Sequence, residues 1–231
     1  MFFSRLVSVM AEGGLNVSVF KYPLGFIRVI QFVFLVIALA AANSWHADVT
    51  YVCVDPTTNT TKSPIQAKTT TFSMASHQLE TCDGGKSTFW TDGAGGAAGF
   101  FYFTAVVTLI FVLIVTFSYV VLWQIYSNDK RIPLADLAVT ALLFVFWFFC
   151  TSIWWSAANG IGGQTSEEHV KAIIAGAPEK WGSFVGVSAN NGMLTISVLS
   201  GWVLVATLAL NSWFIWKEVV PRSESAPTQI A

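Results

Sequence analysis

The sequence predicts an all-α membrane protein, a four-helix transmembrane bundle with a disulfide-bridged luminal loop containing short strands. Three observations lead there. Hydrophobic residues make up 54% of the 231 positions and charged residues only 11%, with a mean hydropathy of +0.61, too apolar for a water-soluble domain and far too apolar for a disordered chain. Four uncharged apolar runs are each long enough, at about 1.5 Å per residue, to cross a hydrocarbon core of about 30 Å. The four arginines all fall outside the two longer connecting segments, which is how cytoplasmic and luminal segments differ in charge.

Residues 1–20 form an N-terminal segment. Its apolar patch (Phe2, Phe3, Leu6, Val7, Val9, Met10) is too short for a span and lacks a cleavage site. It suits either a solvated tail or an interfacial turn. A four-span domain covers 21–217. The first span, about 25–45, carries no charge from Val29 to Trp45, and Gln31 is its one strongly polar side chain before Asn43. Pro23 marks its start, and Lys21 and Arg28 are placed to extend toward the head groups. The second span, about 98–124, lies in the uncharged stretch between Asp92 and Asp129. The third, about 134–157, begins after Pro133, with Asp136 in a first turn where a carboxylate suits the helix dipole. The fourth, about 193–216, is closed by Lys217, and residues 218–231 form a short tail.

The distribution of cations puts both termini and the short loop in the cytoplasm: Arg5, Arg28, Arg131 and Arg222, with Lys21, Lys130 and Lys217, outweigh the five lysines spread over the two longer loops. In the long first loop Cys53 and Cys82 then lie in an oxidising lumen, where they can pair. Asn59-Thr60-Thr61 between them is a glycosylation acceptor. Strand-compatible runs at Asp48 to Val54 and Lys68 to Phe72 suggest a small sheet or hairpin held by that bridge, and two unpaired cysteines are the alternative. Trp45, Trp90, Trp123, Trp154, Trp155, Trp213 and Trp216 fall near the expected interfaces as an aromatic belt, whereas Trp147 and Trp202 sit near mid-helix in packing roles.

No catalytic constellation, metal signature, nucleotide loop or nucleic-acid-binding block is present, so the chain reads as non-enzymatic with no cofactor. His46, His77 and His169 lie in loops as surface residues. From one turn inside each end, no ionisable residue is expected within a span, which disfavours an ion-coupled transporter. Thr104, Thr108, Thr116 and Ser118, or Thr195, Ser197 and Thr207, could line an oligomeric pore. More often such hydroxyls bond their own helix or a neighbour. Ala38/Ala42, Gly95/Gly99 and Ser197/Gly201 are small pairs that allow close helix approach, and Cys150 reads as a small buried apolar residue.

Lys21-Tyr-Pro-Leu-Gly-Phe-Ile-Arg-Val-Ile-Gln-Phe-Val-Phe34 resembles the start of the first span of synaptophysins. Leu137-Ala-Val-Thr-Ala141 with Trp147 and Trp154 resembles their third span, Asn211-Ser-Trp-Phe-Ile-Trp-Lys-Glu218 the end of their fourth, and His77-Gln78 with Cys82 their first luminal loop. The resemblance covers about residues 19–218. It implies the MARVEL four-helix fold, residence in synaptic or other transport vesicles, cholesterol-rich surroundings, homo-oligomers and association with the vesicle SNARE synaptobrevin. The sequence departs from the family in three places. The sequon after Cys53 is shifted, the second luminal loop has no cysteine for a second bridge, and the tail lacks Tyr-Gly repeats. The expected function is organisation of vesicle membrane and partner helices in trafficking and exocytosis, with an oligomeric channel-like protein as the alternative.

Overall fold

The computed structural model describes residues 17–53, 67–73, 78–88, 94–122, 126 and 131–219. A 3₁₀ turn, Val17–Lys21, leads into helix α1, Pro23–Ser44. Strands β1 (His46–Val52), β2 (Ala67–Ser73), β3 (Gln78–Glu80) and β4 (Lys86–Thr88) follow, then α2, Gly95–Val121. Helix α3 is Arg131–Gln164, and a short α4 (Glu167–Gly176) and α5 (Pro178–Trp181) precede β5 (Ser183–Ala189) and α6 (Asn191–Val219). Four of these, Pro23–Ser44, Gly95–Val121, Arg131–Gln164 and Asn191–Lys217, are long and apolar enough to cross a membrane, so the chain is a multi-pass membrane protein.

Helix α3 starts upstream of Pro133 and runs past Ala157, at 34 residues the longest of the four. Pro133 is its third residue, within the first turn, where a missing N–H breaks no helical bond. Its length is about 51 Å, well beyond the hydrocarbon thickness.

The start of α1 explains Pro23-Leu24-Gly25-Phe26. Tyr22 N donates to the Val19 carbonyl at 3.0 Å, folding the 3₁₀ turn back on the helix. A Cβ on Gly25 would lie 2.5 Å from that same carbonyl oxygen, so only glycine lets the turn sit so close. Buried Val19 and Leu24 then join Val115, Tyr119, Tyr126 and Ile215 in an apolar cluster.

The described chain divides into two compact units. Of the described residues, the terminal unit comprises 17–36, 103–122, 126, 131–149 and 200–219. The loop unit comprises Ile37–Tyr102 and Cys150–Leu199, and contains both longer connections.

In the loop unit, β1 and β2 pair antiparallel from His46↔Ser73 to Val52↔Ala67, close to the two strand-compatible runs. The second long connection supplies a third strand, β5, on the other side of β1, giving the order β2-β1-β5. Alternate residues of β1, Ala47, Val49 and Tyr51, are buried, as a half-covered strand requires. Helix α4 packs against β5; its N-cap Ser166 accepts from His169 N, and Val170 and Ile174, four apart, form its buried stripe.

Candidate functional site: a buried ion-pair cluster

Within the terminal unit, polar side chains from all four long helices converge. Arg28 on α1 is fully buried and sits five residues inside the helix. Its Nη2 donates to Asp136 Oδ1 at 2.6 Å and to Thr140 Oγ1 at 3.0 Å, both on α3. Its Nη1 donates to Gln31 Oε1 at 3.0 Å. The Asn211 amide on α6 meets its surroundings with the oxygen turned toward Arg28, where it accepts from Nη2 at 2.8 Å and from Nε and Nη1 at 3.2 Å. The guanidinium carbon lies 5.1 Å from the centre of the Phe111 ring on α2, within cation–π range.

Asp136 is saturated in turn. Oδ1 accepts from Arg28 and from Thr140 Oγ1 at 3.1 Å, while Oδ2 accepts from Tyr119 OH at 2.7 Å and Tyr126 OH at 3.1 Å. The two rings meet edge to face at 4.8 Å. Burial first, and the Asp136 carboxylate second, push the Tyr126 phenol above its ordinary range, so it stays protonated and donates. Gln31 Nε2 is buried with no hydrogen-bond partner.

This overturns the expectation that Arg28 reaches the head groups, and with it the expectation that no ionisable group lies more than a turn inside a span. Snorkelling would leave Asp136, in the second turn of α3, buried without its cation. Pairing satisfies both charges, and the surrounding hydroxyls and amides offset a desolvation cost of several kcal/mol per ion. A signal was present in the sequence. Arg28 with Gln31 at i,i+3, and Asp136 with Thr140 at i,i+4, each place two polar groups on one helix face. Tyr119, Tyr126 and Asn211 carry no such local mark.

Elsewhere several span hydroxyls bond within the protein, whereas those of Thr104 and Thr151 are buried without a hydrogen-bond partner. Thr108 donates to the Thr104 carbonyl at 2.7 Å and accepts from Trp147 Nε1 at 2.8 Å. Ser197 donates to the Leu194 carbonyl and accepts from Trp154 Nε1 at 2.8 Å, while Phe101 stacks on Trp154 at 5.0 Å. Ser118, Thr195 and Thr207 likewise bond carbonyls one turn back. Trp45 and Trp154 therefore leave the expected aromatic belt. Both are buried, and Trp45 Nε1 donates to Asn191 Oδ1 at 3.2 Å. Burial repays their large apolar area once each indole N–H has an acceptor. Trp155, Trp213 and Trp216 are exposed, as belt residues are, and Trp147 is buried in a packing role. Ala38, Ala42, Ser197 and Gly201 are buried, but Gly95 and Gly99 are exposed.

In the loop unit Cys53 and Cys82 are joined, with Cα atoms 5.6 Å apart. The bridge ties the end of β1 to the β3–β4 hairpin, which is also held by Tyr51 OH donating to the Glu80 carbonyl and by Cys82 N donating to the Lys180 carbonyl at 2.8 Å. Asn59 and His77 lie outside the described residues; His46 and His169 are exposed. Among the described residues no three His, Cys, Asp or Glu side chains converge on a metal position. Cys150 is buried.

Apart from Gln31 Nε2, the cluster spends its polar groups on one another and joins the helices, in a chain whose exposed helix residues are largely apolar. Residues 20–217 match the family model of the MARVEL membrane-associating domain, and the chain belongs to that family.

Proposed function

We propose that this MARVEL protein is a non-enzymatic tetraspan protein of synaptic or other transport vesicles. In this reading it organises vesicle membrane and partner helices, including a synaptobrevin-like SNARE, in trafficking and exocytosis. It works as a homo-oligomer in a cholesterol-rich bilayer, with both termini cytoplasmic. The observation that carries the reading is the division of helix surface. Large apolar side chains such as Phe26, Phe103, Ile114, Phe149 and Leu199 point outward, while the strongly polar groups of the spans are turned inward and paired. A surface of that kind offers lipid and single-span helices van der Waals contact and nothing to react with. Exposed Lys21 and Lys217, one at each end of the four-helix segment, support the orientation. The vesicle and SNARE assignments rest on the synaptophysin-like motifs. The channel-like alternative draws little support from Thr108, Ser118, Thr195, Ser197 and Thr207, whose hydroxyls bond carbonyls or indoles.

The test is the mass of the nanodisc-embedded particle with synaptobrevin present and absent. The expected result is a defined homo-oligomer that takes up the SNARE. A monomer that ignores it overturns the organiser reading, and ion flux through the purified protein in liposomes establishes the channel in its place.

A further inference from the structure

We propose that the Arg28–Asp136 cluster is an interlock that holds the helix segments of the terminal unit closed in a two-state manner, so that partner helices meet a closed outer surface rather than enter between them. In hydrocarbon each helix already satisfies its own backbone, and apolar side chains gain little by leaving lipid for one another. What distinguishes a closed arrangement from a parted one is therefore the directional contacts between helices. Apart from the Trp147–Thr108 bond between α3 and α2, which carries no charge, they gather in one cluster: α1 supplies Arg28 and Gln31, α2 Tyr119 and the Phe111 ring, α3 Asp136 and Thr140, and α6 Asn211, with Tyr126 reaching in from the short connection. Moving α3 away from α1 parts a fully buried guanidinium from a buried carboxylate, and each loses the short charge-assisted bond that offsets its desolvation. Partial opening is therefore as costly as full opening, which makes the device bistable.

The arrangement is local. Every member lies in the terminal unit, whereas the loop unit is held by its own strand ladder, disulfide and indole bonds. Loss of the interlock is thus expected to open one unit and leave the other unchanged.

The test uses the full chain in nanodiscs with Cys150→Ala and spin labels on exposed positions. One pair, Phe26→Cys with Leu134→Cys, reports on the terminal unit; the other, Ile153→Cys with Leu199→Cys, reports on the loop unit. Pulsed dipolar spectroscopy of the otherwise native chain gives a single narrow distance distribution for each pair. Asp136→Asn, which keeps the shape and removes the charge, adds a longer-distance population to the Phe26/Leu134 pair. The open-to-closed ratio rises on the order of tenfold or more, the scale of a charge-assisted bond, and the Ile153/Leu199 pair does not change. Tyr126→Phe removes one hydroxyl and produces the same change at about two- to tenfold. If Asp136→Asn yields no folded protein, Tyr126→Phe decides alone. An unchanged Phe26/Leu134 distribution, or equal broadening in both pairs, overturns the interlock.

Discussion

The two compact units are held by different chemistry. The loop unit relies on backbone: β1 is paired on both sides, a disulfide fastens the hairpin, and the indoles of Trp45 and Trp154 each find a neutral acceptor. The terminal unit contains no strand among the described residues, and its inter-helix polar contacts are made by side chains, the strongest of them charged. The difference follows from where backbone groups are free. A strand's N–H and C=O groups point sideways and can join separate segments, but a helix consumes its own, so helices in a membrane can be told apart only by side chains. A unit built only of helices therefore concentrates its specificity in a few residues, and a unit with a sheet spreads it.

The largest expected effect comes from breaking the concentrated side of that contrast. Asp136→Leu leaves Arg28 buried without its counter-charge and is expected to cost about 3–5 kcal/mol. The check is SDS-driven unfolding in mixed micelles, followed by a probe at Phe26. A cost below about 1 kcal/mol would mean that Arg28 has an alternative partner or path to water and that the units are not held so differently. Next is Cys53→Ser with Cys82→Ser, which opens a closed loop spanning 29 positions of sequence separation. The chain-entropy model puts the loss at about 3–4 kcal/mol, an upper figure because the Tyr51–Glu80 and Cys82–Lys180 bonds still hold the hairpin. Protease sensitivity of the segment between β1 and β2, with and without reductant, measures it. Unchanged sensitivity would show that the strand ladder alone suffices. The smallest effect is Ser197→Ala. It removes one neutral acceptor from Trp154 and is expected to cost about 0.6–1.7 kcal/mol in the same micelle assay, as single inter-helix hydrogen bonds do. A loss as large as that of Asp136→Leu would erase the distinction between distributed and concentrated contacts.

How much of this was legible beforehand divides along the same line. The spans, the strand runs around β1 and β2, and the Cys53–Cys82 bridge all leave local marks: uninterrupted apolar length, β-branched alternation, and two cysteines in one loop. Gly25 was legible as part of a motif, but its reason, the Val19 carbonyl 2.5 Å from where a Cβ would sit, was not. Strand β5 leaves no such mark: Ser183–Ala189 is as long as β1 and β2, but its partner β1 is more than a hundred residues away. The place of Arg28 near the helix end fits a snorkelling cation as well as a buried one.

The sequence by itself determined the membrane class, the four helices, the loop bearing a disulfide and the MARVEL-type domain, because bilayer thickness, apolar length and cysteine placement act along the chain. Only the tertiary structure decided that Arg28 turns inward onto Asp136, that Tyr119, Tyr126, Thr140 and Asn211 complete the cluster, and that β5 joins β1. Those outcomes depend on partners brought together from distant positions, 108 residues apart for the ion pair. A charge at a helix end costs much the same to bury wherever its counter-ion lies in sequence. Whether that cost is met depends on where the counter-ion lies in space.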